Sequence, residues 1–310
     1  MGIFRSGIIR SANTNYLINI DRCRMKTKGG AFMLVNLKEI LEPAREQHYA
    51  VGHFNTLNVE MARAVIRAAE EAGAPVILGI EERQLDICPI DEFAAFSVAM
   101  AKKAGVDVAV HFDRGRTFEK CIEAMKLGFT SVNYDCSELS MEENAEKVAE
   151  LVRVAHAYGA SVEAELGHVP EAINLSEEEK KDYHTTPDQA KRYVEMTGVD
   201  ALAIAVGTAQ GQYTFTPNVD FDRIRAISEA TQLPLTLHGG SGLSENHFRK
   251  AIDNGISKIN IFTDLNIAGG QGAIFAINSG FNQMPEIIQY EVYSMKVQAL
   301  EKIRLFRNGK

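Results

Sequence analysis

Three short stretches carry side chains capable of acid, base or anion-binding chemistry. HFDRG (111–115) sets a histidine and an aspartate at alternate positions of an apolar run, then adds an arginine and a glycine. Alternate residues of a strand share a face, so His111 and Asp113 point one way while Val110 and Phe112 point the other. A carboxylate held there can serve as a general acid/base. VEAELG (162–167) repeats the device with Glu163 and Glu165. Two inward carboxylates are costly unless a metal or a cation pairs with them, and Arg114 is a candidate cation. LHGGSG (237–242) offers backbone that can approach an anion, the Ser241 hydroxyl and His238. NIFTD (260–264) puts Thr263 beside a helix start, and helix N-termini favour phosphate.

These side chains need a scaffold that gathers them. Apolar runs at 49–55, 75–80, 106–113, 131–135, 161–167, 201–207, 234–240 and 258–264 alternate with helical patterns. Met61, Ala62, Val65, Ile66 and Ala69 fall on one helical face, as do Phe118, Cys121, Ile122 and Met125. MEENAEKVAELVRVAHAYGA (141–160) reads as a helix closed by glycine. Strand–helix alternation implies parallel strands, and eight units imply an α/β fold of the (β/α)₈ TIM-barrel type. A doubly wound sheet would need a glycine-rich phosphate loop after its first strand, and GHFNTLNVE (52–60) is not one. Active sites of such barrels lie at the C-terminal strand ends. That mouth should gather Asn55, Asp113, Arg114, Asp135, Glu163, Glu165, Gln210, His238, Ser241, Asn260, Thr263 and Asp264.

Composition bounds the rest. The 310 residues are 45% hydrophobic with a formal net charge of −8, which gives no basic patch for nucleic acid and no reason to expect that partner. No apolar run is long enough for a membrane span. Cys23, Cys88, Cys121 and Cys136 form no CxxC pair, which suits reduced thiols in the cytoplasm. Residues 1–32 carry six Arg and Lys (Arg5, Arg10, Arg22, Arg24, Lys26, Lys28) against Asp21. They are expected to be a poorly structured basic extension or a start-site artefact, with one barrel domain over 33–310.

The motifs HFDRG, VEAELGHV, HTTPDQAKRYVEMTGVDALAIAVGTAQG, LHGGSG and KINIFTDL, in this order, resemble the class II, zinc-dependent ketose-bisphosphate aldolases, including the fructose- and tagatose-bisphosphate enzymes. The resemblance runs from Met33 to the C-terminus. It implies reversible aldol cleavage of a phosphorylated ketose or sugar acid to a dihydroxyacetone-phosphate-type product and an aldehyde. It also implies a homodimer or homotetramer and no organic cofactor. Zinc in that family is held by the last histidine of HxDHG, the histidine of GTSHG and the histidine of HGGSG. It polarises the carbonyl and stabilises the enediolate. Position by position, Asp113 matches the acid/base and His238 one zinc ligand. Gly211, Gly239, Ser241 and Thr263 match the phosphate site, and Asn260 matches a substrate-contacting asparagine. Asn55 joins them at the mouth. Glu165 matches a glutamate near the metal. Glu171 is the nearest counterpart of a mobile-loop glutamate that moves the enediolate proton, at a shorter spacing.

The departures are at the metal. Arg114 and Gln210 stand where two zinc histidines would be. Arginine has no lone pair to give, and glutamine offers only a neutral amide oxygen. The expectation is therefore a lost or weakened zinc site with His238 as the retained ligand. Phe262 replaces a family aspartate, and NSGFNQMPEIIQYEV (278–292) lacks the arginine that binds a distal phosphate, so a monophosphate or carboxylated substrate is favoured. A Schiff-base route needs a lysine at the mouth. Lys258 opens the eighth run, at the far end. Three readings stand: an aldehyde-lyase with an altered metal site, a degenerate sugar-phosphate-binding barrel, and metal-free enediol chemistry such as isomerisation. The last would draw on Asp113, Glu165 and Arg114.

Overall fold

The computed structural model describes residues 34–167, 184–209 and 217–310. The 1–32 extension, Glu171, Gln210 and Gly211 lie outside the described residues. Eight parallel strands close a barrel in sequence order: β1 Val51–Asn55, β2 Val76–Glu81, β3 Val108–Gly115, β4 Ser131–Tyr134, β5 Ser161–Leu166, β6 Ala201–Ile204, β7 Leu235–Leu237 and β8 Ile256–Ile261. β8 pairs with β1, so no edge is left. Each of the eight runs read from the sequence overlaps one strand, and β2, β3 and β8 extend past the bounds read for them.

The helices follow from capping and amphipathic pattern. α1 (Leu37–Gln47) begins with a capping box between Asn36 and Glu39. α2 (Val59–Ala72), α3 (Ile90–Ala101) and α4 (Phe118–Lys126) cover the first strands. α5 (Met141–Tyr158) has a capping box at Ser140 and ends at Gly159, with φ 76°. α6 (Pro187–Thr197), α7 (Phe221–Thr231) and α8 (Glu245–Asp253) follow, and α9 (Thr263–Asn278) and α10 (Met284–Phe306) complete the ring. Among the described residues, no helix is long and apolar enough to cross a membrane.

Outward strand residues such as Phe54, Leu78, Val110, Phe112 and Val162 form the main core with the helices. α1 closes the bottom: Leu37, Ile40, Leu41 and Ala44 pack on Val51, Ile77, Ala109 and Ala201. Each Leu or Ile buried there contributes about 1.5–3 kcal/mol. Above this apolar plug the barrel interior is polar, and that polarity is confined toward the mouth.

Candidate active site

One irregularity in β3 determines what faces the mouth. Strict alternation would turn Arg114 outward, because Asp113 points in. The β3–β4 register shifts between Phe112 and Gly115, and Arg114 adopts a left-handed φ of 49°. A bulge of this kind re-aims a side chain. Asp113 and Arg114 therefore both join the interior cluster.

Arg114 is 9% exposed and sits among acids. Its guanidinium reaches Asp135 at 2.9 Å and Glu165 at 2.8 Å, and lies 2.9 Å from His238 Nδ1. Burial opposes its charge, but Glu165 and Asp135 outweigh that and make its proton still harder to remove. His238 Nδ1 is 2.8 Å from Glu165, and Nε2 is 3.3 Å from Glu163. Nδ1 cannot both donate to Glu165 and accept from Arg114. Five carboxylates (Glu81, Asp113, Asp135, Glu163, Glu165) crowd this region, so a proton on Nδ1 directed at Glu165 is the better-balanced arrangement. Burial and Arg114 work against a charged His238, yet its hydrogen bonds to Glu163 and Glu165 push its pKa up to about 9.

Lys258 corrects the sequence expectation. Rather than lying away from the site, it is fully buried in the barrel interior, with Nζ 2.9 Å from Glu163 Oε2 and 2.9 Å from Asn260 Oδ1. Residues 258 and 260 share the inward face of β8, which alternation explains. Glu163 is further held by Asn133 at 3.1 Å and Thr236 at 2.7 Å. Burial raises its carboxyl, but Lys258 and the hydrogen bond from His238 hold it well below the usual range. The two glutamates of β5 thus have separate partners, Lys258 for Glu163 and Arg114 for Glu165.

Asp113 is 2% exposed, and its Oδ2 accepts from Asn55 at 3.2 Å and Asn260 at 3.3 Å. Its Oδ1 has no hydrogen-bond partner among the described residues. Burial raises its carboxyl, but the surrounding His53, His238, Lys258 and His111 nitrogens pull it below the ordinary range. A carboxylate with one oxygen anchored and the other open is oriented to move a proton. Glu81, which sequence reasoning missed, pairs in register with Asp113. Burial and the Asp113 charge push its carboxyl up to about 7. No local pattern at the end of β2 marks Glu81; the barrel register does.

The two anion-loop candidates meet. Ser241 Oγ accepts from the Phe262 N–H at 3.2 Å, which ties the β7 loop to the end of β8. Gly239 has φ 69°, and a Cβ there would lie 2.2 Å from Ala209 O, so only glycine fits. Thr263 is the first residue of α9, as the sequence implies. Asp264 departs from expectation: it turns to Lys302 of α10 at 2.8 Å rather than to the other mouth residues.

These shifts define a stability profile. His238, raised to about 9 from 6.5, contributes stability that is fully present below pH 6.5 and lost as the pH rises through 9. His53 is lowered to about 4 by burial and by Lys258, and His111 is lowered for the same reasons. Their unfolded forms take protons first, so stability falls as the pH drops from 6.5 toward 4. Glu81, raised from 4.5 to about 7, offsets part of that acid loss. Thermal unfolding across pH 4–9 should show its highest midpoint near pH 6.5. A midpoint still climbing at pH 9 would contradict the His238 assignment.

Comparison with known proteins agrees with this geometry. The family model for fructose-bisphosphate aldolase class-II matches residues 35–310. The chain is 40% identical over 276 residues to the uncharacterized protein YdjI of Escherichia coli K12, covering 88% of this chain and 98% of that one. It is 41% identical over 244 residues to a probable fructose-bisphosphate aldolase of Bacillus subtilis, covering 77% and 84%. The crystal structure described as the YdjI aldolase superposes with a TM-score of 0.78 at 37% identity, over 89% of this chain and 98% of that one. A putative fructose-1,6-biphosphate aldolase from Coccidioides immitis superposes equally well at 23% identity, a likeness of fold. Matched by the family model over the whole barrel and 40% identical to a relative covered almost end to end, the chain belongs to the class-II fructose-bisphosphate aldolase family.

Proposed function

We propose that this protein is an aldehyde-lyase that cleaves a phosphorylated ketose or sugar acid by retro-aldol chemistry, with the Arg114 guanidinium standing in for the family's zinc. The observation that carries this reading is the guanidinium lying 2.8 Å from Glu165 and 2.9 Å from His238, the retained family ligand. The family's three-histidine zinc set is not present here. Arg114 has no lone pair to give and Gln210 offers only a neutral amide oxygen, so of the three family positions His238 alone brings an imidazole, with Asp113 and Glu163 within 4.8 Å of it.

In the proposed cleavage, Asp113 Oδ1 takes the proton from the hydroxyl on the carbon whose bond breaks. The bonding electrons move onto the ketose carbonyl, giving an aldehyde and an enediolate. Arg114 stabilises the developing oxyanion by charge in a dry site, where a preorganised cation acts most strongly. Glu81, whose carboxyl burial and the Asp113 charge push up, returns a proton to the enediolate carbon; Glu171 is the other candidate. Gly239, Ser241, Thr263 and Gly211 hold the phosphate, and Asn55 and Asn260 orient Asp113 and the substrate hydroxyls.

Replacing Asp113 by asparagine should lower kcat by about 10²–10⁴-fold while phosphate-ester binding persists. Assay of ketose 1-phosphates and sugar-acid phosphates, with binding measured by calorimetry, checks this. Unchanged turnover would remove Asp113 from the mechanism. Sugar-phosphate binding without turnover in the unaltered protein would favour a binding barrel instead. Buried thiols at Cys88, Cys121 and Cys136 support a cytoplasmic setting. Exposed Ile274, Phe275, Ile277 and Met284 of α9 and α10 support a homodimer or homotetramer.

A further inference from the structure

A second cluster of donors, built on Asp113 and two histidines, lies inside the barrel. His53 and His111 are both fully buried, and their rings meet edge to face with centroids 5.1 Å apart. One atom each of His53, His111 and Asp113 lie within 4.8 Å of one another. Neither nitrogen of His53 meets hydrogen-bond geometry, and neither does His111 Nε2 or Asp113 Oδ1. Buried polar atoms normally find partners, so several converging in one place call for an occupant.

The surroundings prepare the lone pairs. Ser131 Oγ is placed to donate to Val110 O, and it lies 2.9 Å from His111 Nδ1. With its single proton so directed, the hydroxyl accepts Nδ1–H and leaves Nε2 as the lone pair. A hydrogen bond that fixes the far nitrogen is how metal-binding imidazoles are oriented. His53 leans over Gly79, where a Cβ would lie 1.8 Å from Nε2. Glycine at 79 therefore makes room for the imidazole ring itself inside the barrel.

We infer that His53, His111 and Asp113 form a buried site for a divalent transition cation of the zinc, cobalt or iron(II) class, distinct from the position that Arg114 fills. Two imidazoles and one carboxylate suit such ions, with a fourth position left for water. Occupation engages the Asp113 oxygen used in the proposed cleavage, so the loaded and turnover states exclude one another. The site itself rests on geometry and not on that reaction.

The test is titration of the chelator-stripped, full-length protein with cobalt(II), followed by its visible d–d absorption. The expected result is saturation at about one equivalent per chain. His53→Gln should weaken binding at least about 10-fold, and His238→Gln should leave it intact. X-ray absorption of the zinc-loaded unaltered protein avoids any folding defect in the variants, and two imidazole ligands are expected. No cobalt band, a band lost only in His238→Gln, or a single imidazole would overturn the site. Loss of cleavage activity alone bears on the proposed function and leaves this inference untouched.

Discussion

Lys258→Met should destabilise the barrel by about 3–5 kcal/mol, the cost of stranding a buried carboxylate by removing its partner. Lys258 and Glu163 are both fully buried, and Nζ lies 2.9–3.0 Å from both Glu163 oxygens. Methionine matches the aliphatic stem but leaves Glu163 with Asn133, Thr236 and a His238 that it shares with Glu165, in place of a cation of its own. The loss should be partly recovered in Lys258→Met/Glu163→Gln, because the double change removes both charges. Denaturant unfolding of the two single variants and the double variant measures the coupling. A double variant as unstable as the sum of the singles would mean that the two side chains act independently.

Arg114→Met is the second large effect. Removing a preorganised charge at a developing oxyanion costs about 10²–10³ in kcat. Arg114→Lys should recover only part of it, since an ammonium cannot span Asp135 and Glu165 as a planar fork does. The deletion also strands Asp135 and Glu165, so a loss of stability accompanies the loss of rate. Phosphate-ester affinity separates the two, because Gly239, Ser241 and Thr263 belong to other strand ends. A variant that binds the ester normally and fails to turn over places the effect on chemistry. Normal turnover in Arg114→Met would reduce the guanidinium to an ion-pair role.

Much of this was legible in the sequence because β-strand alternation and barrel topology are strict. The parity of HFD and VEAE placed His111, Asp113, Glu163 and Glu165 inward, and the structure agrees. Parity also misleads where the strand is irregular: Arg114 reaches the site only through the β3 bulge and its φ of 49°. Lys258 was misjudged because its position at the start of an apolar run was weighed above its parity with Asn260. A long side chain on the inward face reaches well into the barrel from there. His53 and Glu81 were missed for another reason. His53 sits singly among apolar residues and Glu81 opens a charged stretch just past its run, and only the registers His53↔Asn260 and Glu81↔Asp113 bring each to its neighbours. Such cross-strand pairing is set by barrel closure, which no local pattern encodes.

The central claim is that Arg114 takes the place of the catalytic zinc. Its most direct test is the rate of ketose-phosphate cleavage by the unaltered protein before and after exhaustive treatment with EDTA. The account predicts a rate that is unchanged or higher after chelation, and no gain on adding zinc back. A rate abolished by EDTA and restored by stoichiometric zinc would contradict it and return the reaction to the metal.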